Sequence, residues 1–182
     1  MRLAWFSVVW RSALRKKWQS DCRLLPLTAD HWDMYRRVHQ LFWLTLKTFP
    51  DLVSGQTFNE KIQWLKLFGQ DPRMVEWTDK LAMKRVVSRH LGPEYVPLTL
   101  QTARSADALD FSALPSAFVL KTNHDSGSVL FVPDAQQCPR AHCVRRLQPA
   151  LRRTFGRRGG EWQYWPIQRQ VFAEEMLPFV NG

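Results

Sequence analysis

The feature that most restricts this 182-residue chain is a change in the period of its apolar residues at Gly92-Pro93. Before that point the spacing is helical. Residues 28–48 place Trp32, Tyr35, Val38, Leu41 and Phe42 at helix-type intervals, and Phe49-Pro50 closes the run because a residue before proline avoids the helical region. Thr57-Phe58-Asn59-Glu60 reads as a capping box, in which the Thr57 hydroxyl accepts from the Glu60 amide and the Glu60 side chain reaches back. It predicts a second helix with Phe58, Ile62, Leu65 and Phe68 as its inward stripe, terminated by Gly69 through Pro72. A third helix is predicted from about Asp79 to Leu91, with Thr78 as cap and Gly92 and Pro93 as its stop.

After Gly92 the pattern is that of short strands. Val96 to Leu100 is β-rich, Ala106 to Leu114 reads as a turn or short helix, and Phe118-Val119-Leu120-Lys121 reads as a buried strand ending in a lysine. Thr122 to Ser128 is predicted to be a solvent-accessible loop leading to an antiparallel strand, Val129 to Val132. A helix follows Pro139, then a turn at Gly156 to Gly160, the aromatic segment Trp162 to Trp165, and a strand from Ile167 to about Met176. Helices followed by strand, loop, strand, helix and strand argue for a mixed α/β (α+β) fold, with residues 1–50 a helical N-terminal segment ahead of a domain over 51–182. No stretch approaches the roughly 20 uninterrupted apolar residues of a membrane-spanning helix.

A formal net charge of +10 implies an anionic ligand or partner. The densest basic run is Arg140, Arg145, Arg146, Arg152, Arg153, Arg157 and Arg158, which is explained by a solvated helix face. At the N-terminus, apolar Met1 to Trp10 precede Arg11, Arg15, Lys16 and Lys17, the reverse of the order in a secretory signal. Residues 1–17 fit either an interfacial helix touching anionic lipid or a first helix packed on the body by its tryptophans, and the second reading is preferred. Cys22, Cys138 and Cys143 lack disulfide-framework spacing, which suits a reducing cytoplasm, and Cys138, His142 and Cys143 have no fourth ligand to make a closed zinc site.

Three segments carry candidate chemistry. Phe118 to Val132 offers one strand-end cation, Lys121, beside a loop in which Gly127 lets the backbone approach an anion and Ser126 and Ser128 flank it. His124 and Asp125 read as loop residues, not as a catalytic pair, because sequence neighbours on a hairpin seldom point together. Lys80 sits in a first helical turn, where a cation opposes the helix dipole and an incoming phosphate would offset it. Glu174, Glu175, Met176 and Leu177 put two carboxylates at a strand end, an edge that can offer backbone and carboxylate to an adenine or ribose.

Taken in order, these segments resemble the nucleotide-binding elements of ATP-grasp ligases. The closer resemblance is to the TupA-like (teichuronopeptide biosynthesis) ATP-grasp family, through TFNEKIQWLKLFGQDP (57–72), TDKLAMKRVV (78–87), FVLKTNHDSGS (118–128), EWQYW (161–165) and AEEML (173–177). It implies that residues 51–182 are part of an ATP-grasp domain. It implies also that Lys80 and Lys121 contact the α- and β-phosphates of ATP, that Ser126, Gly127 and Ser128 form a mobile loop over them, and that Glu174 to Leu177 line the adenine hinge. The family loop reads N-H-G-S-G, so Asp125 here adds a negative charge. The family's Mg²⁺ ligands lie in a following lobe, so the expectation is that this chain stops at Phe179 to Gly182 before them and does not turn over alone. The implied partners are a nucleotide and an acceptor of a cell-surface polymer pathway, in the cytoplasm or at the inner face of the membrane. The competing reading is a non-catalytic basic module whose basic helix and nine tryptophans bind an anionic polymer or single-stranded nucleic acid; it is disfavoured, nucleic acid above all, because the aromatics fall mostly at core-like helical spacings.

Overall fold

The computed structural model describes residues 2–178, with side chains from Val8 onward. The chain divides into two compact units, one formed by residues 1–70 with 158–161 and the other by residues 71–157 with 162–182.

The first unit is helical, with α1 (Arg2–Asp21), α2 (Trp32–Leu46) and α3 (Phe58–Phe68). In α2, Tyr35, Val38, His39 and Phe42 are buried, at the i, i+3, i+4, i+7 spacing that makes one helical face. Tyr35 and Val38 join Leu14, Leu52 and Leu67 in the core, with Trp10 and Trp18 packed against it. The Tyr35 hydroxyl donates to the Asp21 carboxylate at 2.8 Å. Burial and that hydrogen bond raise its pKa, so the phenol stays protonated. The capping box of α3 forms as the spacing predicts: Glu60 N donates to Thr57 Oγ1 at 3.3 Å, and Glu60 Oε2 accepts from Thr57 N at 2.9 Å. Its inward stripe forms only in part: Phe68 packs against that core and Ile62 is half-buried, but Phe58 is 77% and Leu65 39% exposed, and Gln63 and Leu67 are buried in their place. Segment 158–161 joins this unit through Lys66 Nζ, which donates to the Gly159 carbonyl at 2.9 Å.

The second unit holds α4 (Arg73–Thr78), α5 (Lys80–Leu91), α6 (Arg140–Arg152), and the strands β1 (Thr99–Ala103), β2 (Phe118–Thr122), β3 (Val129–Val132) and β4 (Val171–Glu175). The strands form one antiparallel sheet in the order β1-β4-β2-β3. Together with the helices it makes the mixed α/β fold that the apolar pattern predicts. Alternation gives the sheet two faces of different chemistry. Phe118 and Leu120 of β2, with Val171 and Ala173 of β4, pack into a core with Cys143, Leu147 and Leu151 of α6. The basic side chains Arg145, Arg146 and Arg152 are thereby left exposed. Val119 and Lys121, opposite Glu174 and Phe172, lie on the other face.

Candidate functional site

The cap of α5 is Asp79, not Thr78, which instead ends the short helix α4. The Asp79 carboxylate accepts from Leu81 N at 2.9 Å and from Asn123 Nδ2 at 3.1 Å. Asn123 is only 1% exposed, and it also ties down β4: its Oδ1 accepts from Gln170 N at 2.8 Å and its Nδ2 donates to Gln168 O at 2.9 Å. One amide side chain thus locks the start of α5, the end of β2 and the approach to β4.

This lock places Lys80, the first residue of α5, beside the β2–β3 loop. Its ammonium donates to the carbonyl of Thr122 at 2.9 Å and to that of Asp125. Burial pushes its pKa below the usual lysine value, opposed by the Asp125 carboxylate, while the Lys121 charge lowers it further. One turn on, at the i+4 position of the same face, Lys84 reaches Glu174 at 2.8 Å and lies 5.6 Å from the centre of the Phe172 ring. Lys121 donates to the other oxygen of the same carboxylate. Glu174 is 4% exposed, so one buried carboxylate bridges two ammonium groups, with a third near enough to feel them.

The loop is only partly open. Thr122, Asn123, His124 and Asp125 are buried, and only Ser126 and Gly127 are exposed, with Ser128 half-buried. The expected solvent-accessible loop therefore starts at Ser126, because the preceding residues satisfy their polar groups inside the unit. Asp125 directs its carboxylate at the hydroxyls of Thr122 and Ser128, closing the loop on itself. His124 faces α6, where its Nε2 donates to the Ala150 carbonyl at 3.2 Å, and burial lowers its pKa. Gly127 has φ +94°, a region that L side chains avoid, with open space where a Cβ would be.

The far end of β4 divides its two carboxylates. Glu175 turns away from Glu174: its Oε1 accepts from Leu98 N at 2.8 Å, and its amide donates to Leu98 O at 2.9 Å. Met176 is half-buried and Leu177 exposed, both beyond the strand. A cavity of about 580 Å3, within the size range of small-molecule sites, opens between α5 and β1 with Lys84 and Glu175 in its wall.

The sequence reading singled out Lys80, Lys121 and Glu174, which the structure brings together. It gave no role to Lys84, Asp79 or Asn123. Lys84 had a local signal in its helical spacing from Lys80, and Asp79 in being a good cap residue next to Thr78; Asn123 had none.

A family model described as TupA-like ATPgrasp matches residues 60–182, about two thirds of the chain. The chain belongs to the TupA-like ATPgrasp family. No curated protein and no solved structure matches it. The matched region takes in α5, the β2–β3 loop and β4, so every side chain of the ammonium–carboxylate cluster falls within the TupA-like match. Among the described residues, no group of three His, Cys, Asp or Glu side chains is placed to hold a metal ion. Both oxygens of Glu174 are engaged by lysines, so this carboxylate is not free to take a cation such as Mg²⁺ while those ion pairs stand. Residues 179–182, where the chain was expected to stop short of the metal ligands, lie outside the described residues.

Proposed function

We propose that the second unit forms the ATP-contacting part of an ATP-grasp ligase site. Lys80 and Lys121 contact the α- and β-phosphates, the Ser126-Gly127-Ser128 loop lies over them, and Glu174 through Leu177 supply the adenine edge. The observation that carries this reading is the convergence of Lys80, Lys84 and Lys121 around Glu174, beside a loop with a positive-φ glycine. An anionic ligand arriving there would compete with Glu174 for Lys121 and with loop carbonyls for Lys80, exchanging one set of charge-assisted hydrogen bonds for another. Ammonium groups held in a partly desolvated site stabilise charge on a transferred phosphoryl group, since positioning and electrostatics dominate such catalysis. The Asp125 charge that departs from the family loop is spent on two hydroxyls, which leaves the loop tip to backbone and serines.

The reaction that family membership supports is ATP-dependent ligation. A carboxylate attacks the γ-phosphate of ATP, the bond to the β-phosphate breaks and ADP leaves, an acyl phosphate is formed, and an amine or similar nucleophile then attacks its carbonyl and displaces inorganic phosphate. The acceptor in this reading belongs to a cell-surface polymer, and the site works on the cytoplasmic side of the membrane. Tryptophan fluorescence titrations with ATP and with a single-stranded oligonucleotide test it. ATP is expected to saturate the signal, with affinity falling about tenfold or more in Lys121→Ala, the usual cost of one charge-assisted hydrogen bond. Tight oligonucleotide binding, indifferent to Lys121→Ala, would instead make the chain a basic binding module.

A further inference from the structure

Within the first unit, α1 and α2 leave between them a groove of about 700 Å3 that the nucleotide reading does not use. Its apolar surface includes Trp10, Leu14, Trp32 and Trp43, continued outward by Val8 and Leu44, which are 65% and 45% exposed. Its polar wall is cationic. Arg11 and Arg15, both exposed, have no ion-pair or hydrogen-bond partner among the described residues, and Arg36 shares the single carboxylate of Asp33 with Arg37. Among the described residues, no acidic side chain lines the groove. A smaller recess of about 110 Å3 shares Arg36 and Leu44 with it and adds Arg37 and Arg158.

We propose that this groove binds an anionic phospholipid presented by a membrane surface. Tryptophans and leucines take the acyl chain, and the guanidinium groups take the phosphate, whose oxygens match their planar fork. Tryptophan is suited to that boundary, with an apolar body and one polar N–H. No helix among the described residues is long and apolar enough to cross a membrane, so the contact is one of lying on the surface. A second copy of the chain is a poor occupant, because two-fold pairing would bring Arg11, Arg15 and Arg36 against themselves. The proposal is independent of the nucleotide site.

The test uses the whole chain with vesicles of phosphatidylcholine alone and of phosphatidylcholine mixed with phosphatidylglycerol. Co-sedimentation is expected only with the mixture, weakening as salt is raised, and brominated acyl chains are expected to quench tryptophan fluorescence. Arg11→Gln with Arg15→Gln is expected to lower partitioning roughly 25-fold, about fivefold for each cation near an anionic surface. Leu44→Asp, at an exposed position, is expected to abolish quenching while leaving the helical circular dichroism and ATP titration unchanged. Equal binding to both vesicles, no binding, or binding untouched by either variant would overturn the proposal. So would a dimer that Leu44→Asp dissociates, or an oligonucleotide that quenches these tryptophans better than the lipid.

Discussion

Replacing Glu174 by alanine removes the one carboxylate between Lys84 and Lys121. Its side chain is 5% exposed, and the two lysine side chains are 16% and 28% exposed. Breaking a fully buried pair by deleting one partner costs about 3–5 kcal/mol, because the remaining charge is left uncompensated. Here both ammonium groups keep some water contact and their long stems can turn outward, so the cost is discounted to roughly 2–3 kcal/mol. Urea unfolding of the whole chain, followed at tryptophans of the second unit such as Trp77 and Trp162, reads this as a lower midpoint with unchanged slope. Lys84→Met should cost less, about 1 kcal/mol, since Lys121 still neutralises the carboxylate. In the double variant the losses should not add, because the two side chains share one interaction. A Glu174→Ala loss under about 1 kcal/mol would refute the reasoning, showing a solvent-screened pair in place of a buried hub.

His39 is fully buried in the first unit, its Nδ1 donating to the Tyr35 carbonyl at 2.8 Å, and burial pushes its pKa down to about 3. The folded state thus holds fewer protons than the unfolded state between pH 6.5 and about 3, so stability falls with acidification by roughly 1.4 kcal/mol per pH unit, a slope that His39→Leu should remove in acid-titrated urea melts. Glu60→Ala is expected to cost more than the about 1 kcal/mol of Thr57→Ala, because Glu60 accepts from the amides of both Thr57 and Asp51; thermal unfolding of the two variants measures the difference. Gly160→Ala puts a Cβ 2.5 Å from Met34 Sδ at φ +68° and should cost about 2 kcal/mol or more, whereas Gly127→Ala meets nothing and should cost only the positive-φ strain, about 1 kcal/mol; denaturant midpoints separate them.

The β2–β3 hairpin was legible because an apolar run, a glycine-bearing polar loop and a second apolar run occur within fifteen residues, and every pairing involved is local. The α5 boundary was off by one residue because Thr78 and Asp79 are both good caps. The choice is made by Asn123, more than forty residues away, which bonds the Asp79 carboxylate. Of the predicted inward face of α3, Phe68 and Ile62 are inward but Phe58 and Leu65 are not: both outrank Gln63 in hydrophobicity, yet burial follows what packs on the helix, and the Gln63 amide finds a carbonyl in Asn59. Strand β1 begins at Thr99 and not Val96, and β4 at Val171 and not Ile167, since each is bounded by pairing with a distant strand. In the candidate site, Lys80, Lys121 and Glu174 could be named from motif order alone. That Glu174 would bridge two lysines while Glu175 served the Leu98 backbone depends on sheet register, which no local pattern encodes.

The most direct measurement of the nucleotide assignment is hydrogen exchange of the whole chain with and without ATP, read by peptide. Slowed exchange is expected at the start of α5 and at residues 121–128 and 172–177, with loss of that protection in Lys121→Ala. Protection that maps to the arginines of α6 instead, or that survives Lys121→Ala unchanged, would contradict it.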